Sequence, residues 1–237
     1  MNASHSKLTD WGLGHVFVKK HDTILDVGCG GGETVRKLAA IATDGKVYGV
    51  DYSEESVAAS KSKNAYGIDN GRVEIRYASV SQLPFSEGMF DLVTAVETHF
   101  WWPDLPGDMC EIFRVLKLES QFIVIAEVYK GANTMTSWLA EKCADRTGMT
   151  LLSAEEHRQL FTNAGLLDVQ VINEDNKQVE GASLAGRRRD RLFAQHRRAL
   201  RCPDASRQRR TAISVLSQRG NATRRRAPRS DYAEYLS

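Results

Sequence analysis

Four glycines at positions 28, 30, 31 and 32 stand between two carboxylates, Asp26 and Glu33, in the stretch Ile24-Leu25-Asp26-Val27-Gly28-Cys29-Gly30-Gly31-Gly32-Glu33. Glycine carries no Cβ, so such a loop can take positive φ and let a ligand lie directly on the backbone. A dinucleotide site would place pyrophosphate over the following helix N-terminus with G-x-G-x-x-G spacing. The third glycine of that spacing is here Glu33, and two negative side chains repel an anion while attracting a ligand with an ammonium and a sulfonium. That charge balance points away from NAD and towards S-adenosylmethionine, with Asp26 facing the methionine ammonium and Gly28, Gly30 and Gly32 admitting the chain. Asp51 follows Gly28 by 23 residues, near the interval at which an acid grips ribose hydroxyls in nucleotide-binding α/β folds. Its two oxygens match a vicinal diol, and the adjacent Tyr52 ring could lie against a base.

These residues need strand ends to hold them. Residues 23–27 read as an apolar strand running into the glycine turn, then a helix over about 33–42 stopped by Gly45. A second strand, 47–50, ends at Asp51, and Ser53 caps the next helix with Glu54 and Glu55 at its positive end. Residues 73–77 alternate as a third strand, leading to Ser79 and Val80. The near-continuous apolar run 90–96 is a central parallel strand, and it delivers Glu97-Thr98-His99-Phe100-Trp101-Trp102-Pro103 to the ligand end of the sheet. Three consecutive aromatics there fit either packing on the next helix or substrate contact by Trp101 and Trp102. Glu97 and His99 are the candidate bases, and Glu97 a further donor contact; packing is the competing reading for each.

Beyond residue chemistry, Ile24–Gly32 resembles the first motif of class I S-adenosylmethionine-dependent methyltransferases. The resemblance continues through 47–53 (VYGVDYS), 83–85 (LPF), 90–93 (FDLV) and 114–117 (RVLK), covering roughly residues 8 to 175. It is most similar to the small-molecule branch that includes ubiquinone and menaquinone C-methyltransferases. The resemblance implies a doubly wound, mostly parallel Rossmann-like sheet, S-adenosylmethionine as methyl donor and a small-molecule acceptor. Relatives usually carry an aspartate against the adenine amine where this chain has Ser79, and a Lys-Pro-Gly-Gly turn where it has Lys117-Leu118-Glu119-Ser120. They close the sheet with an antiparallel seventh strand, which here reads as missing or replaced.

Composition bounds the rest. The 237 residues suit one α/β domain plus a tail. No apolar run is long enough for a membrane span, and the N-terminal residues do not read as a secretory signal, so a cytoplasmic protein is expected. The four cysteines lack metal-ligand spacing and read as reduced thiols, with no metal site. The net charge of +2 conceals an abrupt change: residues 180–237 hold 15 arginines and no lysine, whereas 11 of the chain's first 17 basic residues are lysine. The domain reading is accordingly 1–22 as a helical lead, either a lid or a helix packed on the sheet; 23–176 as the donor-binding domain; and 177–237 as an Arg-rich tail expected to be disordered. Thr211–Ser217 is the tail's one strand-like run. It could fill the place of the final strand, although its flanks look unlike a sheet insertion. Basic tails can bind polyanions, but aromatic residues are sparse here and nucleic acid is not the expected partner. The competing functional class is a non-catalytic methyltransferase-like binding module; a nucleotide-dependent oxidoreductase is disfavoured by Asp26 and Glu33.

Overall fold

The structure is a computed structural model and describes residues 3–173 and 211–216. Seven strands form one sheet: β1 (Thr23–Val27), β2 (Lys46–Asp51), β3 (Val73–Tyr77), β4 (Phe90–Val96), β5 (Leu116–Ala126), β6 (Leu167–Asn173) and β7 (Thr211–Leu216). Their order is β3-β2-β1-β4-β5-β7-β6. Every neighbouring pair is parallel. The helices α1 (Ala3–Leu13), α2 (Glu33–Ile41), α3 (Glu54–Lys63), α4 (Ala65–Asp69), α5 (Leu105–Val115), α6 (Met135–Thr147) and α7 (Ala154–Asn163) flank it, with 3₁₀ turns at Val80–Gln82 and His99–Trp101.

The sheet is apolar on both faces, as a parallel sheet between helices must be. On one face Leu25, Val27, Phe90, Val93 and Phe122 pack against Phe113 of α5 and Phe161 of α7. On the other, Ile24, Val47, Leu92 and Ile123 pack against Leu8 and Leu13 of α1 and Val35 and Leu38 of α2. Alternation along β1 thus sends Ile24 and Leu25 to opposite cores.

Two findings on β-structure bear on the sequence expectations. The slot between β5 and β6 is filled: Thr211–Leu216 pairs with β5 from Gln121 to Ala126 and with β6 from Leu167 to Asn173, parallel to both instead of antiparallel. Its Ala212, Ile213 and Leu216 are buried, so apolar content outweighs the unpromising flanks. The rest of the proposed tail lies outside the described residues. Second, β5 begins at Leu116, not Phe122, because the segment lacking Pro and Gly continues as strand. Glu119 absorbs the bend at φ 56, and the Ser120 hydroxyl donates to the Lys117 carbonyl at 2.6 Å.

The N-terminal segment resolves towards packing. The buried Lys37 ammonium of α2 donates to the Ser6 carbonyl at 2.9 Å and hydroxyl at 2.8 Å and pairs with Asp10. This clasp holds α1 on the sheet, and among the described residues none of α1 lines the cavity described below. Cys29 and Cys143 are free thiols, as expected of them. Among the described residues, no helix is long and apolar enough to cross a membrane.

Candidate functional site

Strand order reverses beside β1: the chain runs from β1 to β2 and β3 on one side, then returns to place β4 on the other. Doubly wound folds open a crevice at such a reversal, beyond the strand carboxyl ends. A cavity of about 610 Å³ lies there, within the size range of small-ligand sites. It crosses four strand tips: Ala78, Ser79 and Val80 after β3; Val50, Asp51 and Tyr52 at β2; Val27, Gly28 and Gly30 after β1; and Val96, Glu97, Thr98, Trp101, Trp102 and Pro103 after β4.

The glycine loop is shaped by close contacts. Gly28 and Cys29 donate to the Val50 carbonyl at 2.8 and 2.9 Å, turning the chain back over β2. Gly28 sits at φ 72, and a Cβ there would overlap the Thr98 side chain. Two strand tips are thereby brought together. Asp51 completes the loop: its Oδ2 accepts from Gly30 N–H at 2.8 Å and its Oδ1 from Ser53 N–H at 2.9 Å. Each oxygen keeps a further lone pair, and Asp51 lines the cavity. Tyr52 is 75% exposed at the rim and Trp101 51% exposed, whereas Trp102 is buried.

Glu97 supplies the second carboxyl. It takes the left-handed conformation at φ 55, and its Oε1 accepts from the Glu127 backbone N–H. Burial raises its pKa to about 7; the Glu127 N–H opposes the shift and the Glu127 charge adds to it. A carboxyl in a cavity wall that changes charge near neutrality can favour a cation when ionised or accept a proton.

Several sequence candidates lie elsewhere. Asp26 is 1% exposed and absent from the cavity wall. It meets the Thr94 hydroxyl at 2.6 Å, and burial foremost raises its pKa to about 7. Strand alternation explains this: position 26 points into the packed sheet, not beyond its tip. Glu33 faces outward to Arg36 at 2.7 Å and Lys63 at 3.0 Å. The acidic character inferred from Asp26 and Glu33 is therefore carried in the cavity by Asp51 and Glu97. Gly32 is also off the wall. It starts α2 at φ 77 and packs on Ser60 and Asn64, a role in joining helices instead of touching a ligand. His99, taken from sequence as a candidate base, is 2% exposed and faces His157 instead of the cavity. Sequence reasoning missed Thr98 as the partner of Gly28 and His157 as the partner of His99; only the rule that ligands sit beyond strand tips pointed towards the first. Among the described residues, no group of three His, Cys, Asp or Glu side chains could hold a metal ion.

Residues 25–124 match the family described as "Methyltransferase domain". The chain is 30% identical over 171 residues to O-methyltransferase cnsE of Penicillium expansum, covering 69% of this chain and 61% of that protein. It is 34% identical over 113 residues to 27-O-demethylrifamycin SV methyltransferase of Amycolatopsis mediterranei (47% of this chain, 41% of that protein). With demethylmenaquinone methyltransferase of Bacillus mycoides it shares 28% over 180 residues (65% and 73%). The chain thus spans less than two thirds of the first two relatives. A crystal structure of an S-adenosylmethionine-dependent methyltransferase from Aquifex aeolicus superimposes with a TM-score of 0.58 at 21% identity, over 70% of this chain and 84% of that one. Over residues 25–124 the chain is thus similar to the methyltransferase domain family, and its sheet has the fold of that solved methyltransferase.

Proposed function

We propose that the protein binds S-adenosylmethionine in this cavity and transfers its methyl group to a small-molecule acceptor. The observation carrying the reading is the order of groups along the cavity: an uncharged wall at Ala78–Val80, a carboxylate with free lone pairs at Asp51, a bare glycine backbone at Gly28 and Gly30, then a carboxyl and two indoles at Glu97, Trp101 and Trp102. That sequence of surfaces fits base, ribose diol, amino-acid chain and cationic centre in turn. Ser79 offers the base edge a hydroxyl whose oxygen also takes the Ser81 N–H at 3.2 Å, and Val80 packs beside it.

Bound there, S-adenosylmethionine supplies a methyl group on a sulfonium, which leaves as a neutral thioether without needing an acid. Asp51 fixes the diol through charge-assisted hydrogen bonds. Glu97 in its ionised form favours the positive end electrostatically, and the indole faces of Trp101 and Trp102 add to this. The main catalytic contribution of the chain is alignment, since collinear positioning alone can lower the barrier by roughly 7–11 kcal/mol. Where the acceptor is a hydroxyl, Glu97 is the group in the wall able to take its proton near neutral pH. The relatives named for a rifamycin and a menaquinone precursor support an acceptor of small-molecule type.

Calorimetry with S-adenosylmethionine and S-adenosylhomocysteine tests the donor site. Asp51→Ala should weaken both by about ten- to a hundredfold, the loss of charge-assisted bonds worth roughly 1.5–3 kcal/mol. Unchanged affinity removes Asp51 from the site, and no binding by the wild-type chain removes the function. Incubation of cell extract with methyl-labelled donor then identifies the acceptor.

A further inference from the structure

Two histidines are buried against one another outside the cavity. His99, in the His99–Trp101 turn, is 2% exposed, and His157 of α7 is 0% exposed. Their Nε2 atoms lie 2.9 Å apart, and His157 Nδ1 lies 2.9 Å from the Ser153 carbonyl oxygen. A carbonyl only accepts, so His157 carries its proton on Nδ1, and in the neutral ring its Nε2 is a bare lone pair. His99 must then donate from Nε2. Its own Nδ1 is left bare, buried and without a partner among the described residues. The hydrogen bonds therefore run one way, from His99 to His157 to Ser153.

Both ends of this relay are anchored to something that matters. Ser153 is the N-cap of α7, in a capping box with Glu156 that fixes the helix start. At the other end, Trp102 N–H donates to the His99 carbonyl at 3.2 Å, Trp101 N–H donates to the Thr98 carbonyl at 3.0 Å, and Thr150 N–H donates to the Phe100 carbonyl at 2.8 Å. Thr98, Trp101 and Trp102 all line the cavity. Among the described residues, the side-chain hydrogen bond of His99 is the one to His157.

We infer that His157, which lines no part of the cavity, is a positioning residue: acting through His99, it fixes the turn that carries Trp101 and Trp102, and it does so only while both imidazoles are neutral. A proton added at His157 Nε2 sets two N–H donors against each other. A proton added at His99 Nδ1 places a charge beside Phe100 with no acceptor to receive it. The titratable groups acting on the pair are each other and Glu156, which Lys130 engages at 3.1 Å. Burial foremost lowers both pKa values from the ordinary 6.5. The pair's contribution is thus complete above about pH 6.5 and is lost as the pH falls from there through the two lowered values. This assignment holds whatever ligand the cavity takes.

The test uses the full chain with Trp11 and Trp138 replaced by Phe, so that fluorescence reports Trp101 and Trp102. Acrylamide quenching is measured at pH 7.5 and at the lowest pH at which circular dichroism still shows the parent chain folded. The unaltered pair should show quenching that rises at least about twofold on acidification as the turn is released. In His157→Gln the amide oxygen can still accept from His99 and only His99 is left to take up a proton, so quenching should stay low at pH 7.5 and its rise on acidification should shrink. In His157→Leu quenching should be high at both pH values. An acid rise that persists undiminished in His157→Gln overturns the inference, as does a folded His157→Leu chain that quenches like the parent. A parent flat with pH overturns it too. Should His157→Leu not fold, His157→Gln decides alone; its own failure to fold refutes the claim that a retained acceptor suffices.

Discussion

Glu97→Gln removes one negative charge from the cavity wall while keeping the shape of the side chain. With a pKa of about 7, Glu97 is roughly 10% ionised at pH 6 and 90% at pH 8, so a ligand that needs the ionised form should bind about tenfold tighter at the higher pH, worth roughly 1.4 kcal/mol. A sulfonium about 6 Å away at an effective dielectric near 20 gains roughly 3 kcal/mol from that charge, enough to draw the carboxyl fully into its ionised state. Binding at pH 7 should therefore release about half a proton, read by calorimetry in buffers of different ionisation enthalpy. In Glu97→Gln the proton release should vanish and affinity should be level between pH 6 and 8. The advantage of S-adenosylmethionine over the uncharged thioether of S-adenosylhomocysteine should shrink as well. A wild-type profile that is flat with pH, or a slope that survives intact in Glu97→Gln, would refute the assignment of Glu97 as the electrostatic partner of the donor.

Asp26, raised to about 7 by burial, binds a proton more tightly in the folded chain than in the unfolded one. Its stabilising contribution is complete below about pH 4 and is lost as the pH rises through 7, on the order of 4 kcal/mol; Asp26→Asn should therefore raise the melting temperature at pH 8 and leave it little changed at pH 4. Gly28→Ala forces a methyl into Thr98 at φ 72 and should cost about 1–3 kcal/mol, partly recovered by Thr98→Ala, as thermal melts would show; equal melts would remove the contact from the account. Lys37→Met breaks the clasp on Ser6 and Asp10, and hydrogen exchange in residues 3–13 should quicken about tenfold, for roughly 1–2 kcal/mol of local stability.

Much of this molecule was legible in the chain itself. The strand–glycine–helix stretch, the acid ending β2 and the strand runs leading to Ser79 and Glu97 located all four strand tips that form the cavity, because apolar runs and glycine spacing are local signals. Ser53, followed by Glu54 and Glu55, announced a helix start for the same reason. What escaped were long-range matters. Whether Asp26 reaches a ligand depends on which way one strand position points, and charge counting along the loop cannot tell that. The pairing of His99 with His157 joins residues 58 positions apart, and no periodicity in either segment foretells it. The direction of β7 was likewise hidden, since six apolar-rich residues fit a sheet equally well either way round.

The place of β7 bears on how the chain is made. Residues emerge from the ribosome in order, yet β6, which ends at Asn173, touches the sheet only through a strand that starts at Thr211. Until Leu216 has been synthesised, β5 presents an unpaired edge and β6 has no ladder to join, so the nascent chain carries open strand backbone of the kind that recruits other chains. A ribosome stalled between those two points should hold a product that needs chaperone cover, whereas one released after Leu216 should not.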